Sequence, residues 1–270
     1  MPGASSDEAF VKVEREAAAL RLTLARPSRR NALSELMLQE LELHLSAIAE
    51  DRSIRVVVLA AEGPVFCSGH DLGEMRGRTE EEYRHLFARC TRVMLGLRKL
   101  PQPVIARVQG LATAAGCQLA AACDLVVAAD TAGFATPGVK IGLFCTTPMV
   151  PLIRVVPPRV AMEMLLTGRV VSAAEAHKIG LVNRVVAADQ LDQAVEEYVL
   201  AISRASATAL EIGKRAFYDL AEVSEVEAYQ KAVELMTQNA LACDAQEGIG
   251  AFLEKRTPHW QHTRPHFPAE

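Results

Sequence analysis

Apolar residues along this chain fall into two kinds of run. In Ile54 to Ala60, Val104 to Val108 and Leu125 to Ala129 nearly every position is apolar and many are β-branched, the pattern of strands covered on both faces. Between them, apolar positions recur at helical spacing. Ser34 to Glu50 reads as an amphipathic helix with Ser34 as N-cap, Thr79 to Leu100 as a helix ended by Pro101 and Pro103, and Ala114 to Ala122 as a third. Phe10 to Leu24 can supply the first strands. This alternation predicts an α/β fold of parallel βαβ units. From Pro158 the spacing is helical nearly to the end, broken by Gly180-Leu181-Val182-Asn183-Arg184-Val185-Val186, a candidate short strand. The boundary falls near Ser203 to Ser206. Residues 1–203 form the expected α/β core and 204–270 a C-terminal helical region, with Ala207 to Arg256 as its bundle.

At 270 residues, half of them hydrophobic, the chain can bury one full core. Its net charge of -4 gives no basic footprint, so nucleic acid is not an expected partner. Asp124 interrupts the most apolar stretch, Leu111 to Ala129, so no membrane span is expected, and the N-terminus lacks the apolar core of a secretory signal. Met1 to Glu8 is short and acidic rather than Arg-rich, which predicts a cytoplasmic protein, with the mitochondrial matrix as the alternative. Six cysteines without a CxxC pair suit buried thiols in a reducing compartment. His259, His262 and His266 sit in a Pro-rich terminus without a local acidic or cysteine partner, so they read as a tail and no metal is expected.

Two loops carry the candidate chemistry. Phe66-Cys67-Ser68-Gly69-His70-Asp71-Leu72 and Gln109-Gly110-Leu111-Ala112-Thr113-Ala114-Ala115-Gly116-Cys117-Gln118 each follow a buried strand. Gly110 allows a tight turn, Thr113 can cap, and Ala114-Ala115-Gly116 has no side chain large enough to keep a ligand off the backbone. A helix starting there aims its unpaired N–H groups and positive dipole end at whatever lies above. Two N–H groups converging on one oxygen make an oxyanion hole.

The ordered motifs Arg26-Pro27 with Asn31-Ala32-Leu33, Gly63 to Leu72, Gln109-Gly110 to Leu125, and Glu247-Gly248 to Arg256 resemble the enoyl-CoA hydratase/isomerase (crotonase) superfamily over nearly the whole chain. Gly69 to Leu72, Leu111 to Gln118 and Phe134 to Gly138 are similar to its enoyl-CoA hydratase domain-containing protein 3 subgroup. The resemblance implies a crotonase-like (ClpP/crotonase) spiral of ββα units, an acyl-CoA thioester as substrate and partner, and a homotrimer or dimer of trimers. It implies no tightly bound cofactor, coenzyme A entering as part of the substrate. By position it implies oxyanion amides at Ser68 and Ala115, and coenzyme A contacts from Arg29, Arg30, Ala32, Ser68, Gly69, His70, Asp71, Phe252 and Lys255.

The departures from the family pattern change the expected reaction. Hydratases of the family use two glutamates to orient water and move a proton, and those positions here hold Gln118 and Gly138. Neither is an acid or base. A positioned acid–base group contributes about 10²–10⁴-fold in rate, so the resemblance implies an acyl-CoA enzyme that is not a standard hydratase. His70 is the candidate acid/base, against the reading of a loop histidine bonded to backbone. The alternatives are an acyl-CoA decarboxylase of the methylmalonyl-CoA type, although Leu143-Phe144-Cys145 lacks the tyrosine of those enzymes, and a catalytically silent acyl-CoA-binding protein. Asp71 reads as a cap, Cys145 as a small core residue in a loop, and Glu74 and Glu163 as carboxylates that could reach the pocket. A ClpP-like serine peptidase would need a hydroxyl where Ala115 stands.

Overall fold

The computed structural model describes residues 9–265. In chain order the elements are β1 (Val11–Glu16), β2 (Ala19–Leu24), α1 (Glu35–Glu50), β3 (Val56–Ala61), β4 (Val65–Cys67), the single turn α2 (Leu72–Met75), α3 (Glu80–Lys99), β5 (Val104–Val108), β6 (Leu111–Thr113), α4 (Ala115–Ala122), β7 (Leu125–Ala129) and β8 (Gly133–Ala135). They continue as α5 (Thr146–Val155), α6 (Pro158–Thr167), β9 (Val171–Ser172), α7 (Ala173–Lys178), β10 (Arg184–Val186), α8 (Leu191–Ser203), α9 (Ala207–Leu220), α10 (Glu225–Leu241) and α11 (Cys243–Glu254).

The strands form two sheets, a six-stranded one in the order β1-β2-β3-β5-β7-β10 and a four-stranded one in the order β4-β6-β8-β9. Each turn of the chain therefore gives one strand to the larger sheet, the next to the smaller, and then a helix: β3-β4-α3, then β5-β6-α4. This is the expected ββα spiral, parallel from β2 through β10 in the larger sheet. The central strands are apolar throughout because both faces are covered. Val57, Leu59, Val104, Ala106, Val126 and Ala128 face the main core with α1, α3 and α4. Their neighbours Val56, Val58, Ile105 and Val127 pack on Leu191, Ala194, Val195 and Val199 of α8.

Local chemistry fixes the helix starts. The Ser34 hydroxyl accepts from the Met37 amide at 3.3 Å, and Thr79 and Glu82 form a reciprocal capping box. Leu86, Cys90, Val93 and Leu97 then fall on the buried face of α3. Three features depart from the sequence reading. The strands of the smaller sheet are only two or three residues long, too short for a period to register. Thr146 and Thr147 begin a helix rather than a loop, with Pro148 in its first turn and Pro151 buried within it. Thr113 does not cap α4; Ala114 occupies that position without any side-chain bond. Among the described residues no helix is long and apolar enough to cross a membrane.

Candidate active site

Close backbone packing brings the two loops together. A Cβ at Gly116 would lie 2.1 Å from the Cys67 carbonyl oxygen, and one at Gly110 would lie 2.0 Å from that of Pro64, so β4 and the β6–α4 segment touch main chain to main chain. Gly69, at φ +93°, lies across the start of α4, where its missing Cβ would sit 2.9 Å from the Ala114 Cβ and 3.4 Å from the Ala115 nitrogen. Ala114 itself has φ 50° and ψ -118°, a conformation that alanine rarely adopts. Its amide donates to the Ala135 carbonyl at 2.9 Å, anchoring the loop to β8.

Three consecutive peptide groups of the first loop are used differently. The Ser68 N–H donates to the Arg30 carbonyl at 3.1 Å, so it is engaged inside the protein and is not the free donor that the family register suggested. Leu33 N–H donates to Gly69 oxygen at 2.8 Å, and Asp71 N–H to Leu33 oxygen at 3.2 Å, forming a parallel bridge opposite His70. In such a bridge the intervening residue turns its own N–H to the other side. The His70 N–H accordingly has no acceptor among the described residues. The Ala115 N–H, in the first turn of α4, likewise has none; the helix ladder begins with Gln118 N–H to Ala114 oxygen at 3.0 Å.

The His70 side chain is half-buried, and its buried Nε2 has no hydrogen-bond partner among the described residues. Phe87 of α3 meets it edge to face at 5.5 Å between centroids, and Phe87 stacks on Tyr83. Burial pushes the His70 pKa down to about 4, so the ring is neutral at physiological pH. It is a proton-poor acceptor or a single donor, not the near-neutral shuttle that histidine in water would be.

The three carboxylates singled out in the sequence each have a partner. Asp71 caps α2, accepting from Gly73 N–H at 3.0 Å, with Arg26 at 3.8 Å. Glu74 accepts from Glu35 N–H at 2.8 Å, and Glu163 is exposed and paired with Arg169 at 2.8 Å. Gln118 is buried, 4% exposed, and its Oε1 has no partner among the described residues. Gly138 is closed off: a Cβ there would lie 2.0 Å from the Leu143 carbonyl oxygen, and its N–H donates to Cys145 Sγ at 3.3 Å. Burial raises the pKa of the Cys145 thiol.

Arg29 and Arg30 stand exposed on a turn held by buried Asn31, whose amide donates to the Glu62 and Val65 carbonyls at 2.8 Å each; Ala32 beside it is buried. Phe252 and Lys255 are exposed on and just after α11, which packs on α9 and α10. His259 and His262 have separate partners: the His259 backbone N–H donates to Glu247 Oε1 at 2.7 Å, while His262 Nδ1 meets Arg55 at 2.8 Å. His266 lies outside the described residues. Among the described residues no group of three His, Cys, Asp or Glu could hold a metal ion.

The family model for enoyl-CoA hydratase/isomerase matches residues 14–263. The chain belongs to this family. Enoyl-CoA hydratase domain-containing protein 3, mitochondrial, of Rattus norvegicus is 43% identical over 261 residues, 96% of this chain and 87% of the relative. The Homo sapiens protein of that name is 44% identical over 242 residues, 89% and 80% of the two chains. Among solved structures, an enoyl-CoA hydratase of Mycobacterium smegmatis superposes with a TM-score of 0.92 at 50% identity, over 95% of this chain and all of that one. Human enoyl Coenzyme A hydratase domain-containing protein 3 gives 0.90 at 42%, over 93% and 100%. For this enoyl-CoA hydratase/isomerase family member, sequence reasoning missed that the His70 backbone, not that of Ser68, is unengaged. The Asn31-Ala32-Leu33 segment was the available signal, since it supplies the bridge that turns the His70 amide outward.

Proposed function

We propose that the protein binds an acyl-CoA thioester and receives its carbonyl oxygen between the N–H groups of His70 and Ala115. The observation that carries this reading is that these two amides, on loops joined at Gly69, lack internal acceptors while Ser68 is engaged. Donors aimed at an enolate or similar oxyanion stabilise it without reorganisation, an effect of about 10²–10³-fold per donor in acyl-transfer enzymes. Coenzyme A arrives as part of the substrate, with Arg29 and Arg30 available to its phosphates.

The reaction is not standard hydration. Gln118 and Gly138 provide neither an acid nor a base, and the neutral, half-buried His70 ring is a weak base. Loss of carbon dioxide from a 2-carboxyacyl thioester fits this inventory: the C–C bond electrons pass into the thioester enolate, water supplies the proton that the enolate carbon takes up, and no base need remove a carbon-bound proton. The dry, unpartnered Nε2 of His70 favours that second reading, as a group able to hydrogen-bond a substrate carboxylate.

Apolar side chains exposed on the C-terminal helices, Phe217, Tyr229, Val233, Met236 and Phe252 among them, support a homotrimer or dimer of trimers. The relatives' names favour mitochondria over the cytoplasm as the location. Purified protein titrated calorimetrically with acyl-CoA thioesters, and then incubated with a panel including crotonyl-, malonyl- and methylmalonyl-CoA, tests the proposal. Binding, negligible crotonyl-CoA hydration and turnover of another thioester are expected by mass spectrometry. Binding without any turnover would leave a silent acyl-CoA binder, and no binding would overturn the reading.

A further inference from the structure

α3, α4 and α5 line a half-open cleft of about 90 Å³ walled by Thr91, Met94, Leu95, Arg98, Gln118 and Val150, among others. Gln118 lies one helical turn past Ala115, and Ala122, also on the wall, ends α4. From Ala115 to Ala122, eight residues, the helix advances about 10 Å, the reach of a medium-length acyl chain. Methionine, leucine, valine and proline make most of this wall apolar, which suits methylenes.

One lining residue, Arg98, carries a formal charge. Its guanidinium lies 4.6 Å from the centroid of the Tyr218 ring. That ring is fixed from behind: the Tyr218 hydroxyl donates to Asp124 Oδ1 at 2.7 Å, and Asp124 Oδ2 lies 2.7 Å from Lys214 Nζ. Lys214 is held in turn by the Leu97 and Gln102 carbonyls, at 2.9 Å each. The acids around Arg98 are thus already engaged, Asp124 by Lys214 and Tyr218, Glu222 by Arg154 at 2.9 Å, Asp219 by Arg215 at 3.4 Å, and Glu211 by Arg52. No carboxylate stands within ion-pair distance of Arg98 among the described residues. A guanidinium held over a ring, with no carboxylate partner, has N–H groups available to a planar, bidentate acceptor. Gln118, 4% exposed with an unpartnered Oε1, adds an unsatisfied polar group to the same wall.

We propose that the acyl group taken up here ends in a carboxylate that Arg98 receives, so that the substrates are coenzyme A monothioesters of medium-length dicarboxylic acids. This rests on the placing of the thioester carbonyl at the His70 and Ala115 amides. The test is calorimetric titration of the full chain with matched pairs, octanoyl-CoA against octanedioyl-CoA and hexanoyl-CoA against hexanedioyl-CoA. The dicarboxylic member of at least one pair should bind about tenfold tighter or more. In Arg98→Met the ratio within that pair should fall to about one, and Arg98→Lys, which keeps charge but not the planar fork, should retain part of it. Thermal melts of each variant establish that it is folded. Equal binding within both pairs by the unaltered protein, or a preference that survives in folded Arg98→Met, overturns the assignment while leaving the thioester site standing. Failure of all four thioesters to bind overturns both.

Discussion

At Gln118 the side chain keeps the length and shape of a glutamate and lacks its charge; at Gly138 there is no volume for any side chain. Gln118 projects from a regular helix into a cavity, and its buried amide oxygen is still unpartnered. Gly138 is roofed by its own loop, with the Leu143 carbonyl where a Cβ would be and the Cys145 thiol accepting its N–H. Placing a carboxylate at the first position is a matter of charge, whereas placing one at the second requires moving backbone.

Gly138→Glu is therefore expected to have the largest effect, a destabilisation of more than about 4 kcal/mol from a buried backbone clash. A melting temperature lower by roughly 10 °C would register it. An unshifted melt would mean that the loop from Leu143 to Cys145 yields freely, and the contrast with Gln118 would disappear. His70 comes next. Its folded pKa is depressed from 6.5 to about 4, so the unfolded chain takes up the proton first. Stability should be intact above pH 6.5 and fall as pH drops toward 4, by about 3 kcal/mol at about 1.4 kcal/mol per pH unit. Denaturant midpoints measured across that window should lose much of their slope in His70→Phe.

Gln118→Glu should fold but cost about 2 kcal/mol at pH 7, where its buried carboxyl is disfavoured in the charged form. The penalty should shrink as pH falls toward the ordinary glutamate value of about 4.3. Crotonyl-CoA hydration by this variant should stay near background; a gain of about a hundredfold would show that one carboxylate is enough. Smallest is Ala114→Gly, which relieves a positive φ that glycine adopts freely and should raise stability by about 1 kcal/mol in a denaturant melt.

Much of the spiral was legible because its central strands are buried on both faces and announce themselves as apolar runs, as in Val56–Ala61. The helices with side-chain caps at Ser34 and Thr79 were legible for local reasons too. The smaller sheet was not, since strands of two or three residues carry no period and are assembled only by pairing with distant neighbours. Within the site, Ala115 was located by the register of the family resemblance, and its amide lies in the first turn of α4. The state of the Ser68 and His70 amides could not be read, because it depends on Arg30 and Leu33, more than thirty residues away in the chain. Gln118 was readable as a missing acid, but the closing of Gly138 depended on the path of the loop through Leu143.

The packing of α4 on β4, so close that a Cβ at Gly116 would strike the Cys67 carbonyl, has a consequence for detection. Its neighbouring thiols, Cys67 and Cys117, are buried, and burial pushes both up to about 12, so they offer no reactive thiolate. Electrophilic probes that survey proteomes for reactive cysteines and serines would pass over this region in silence. What the region can announce is protons on peptide nitrogens, and amide chemical shifts of His70 and Ala115 that move when a thioester is added would make it visible.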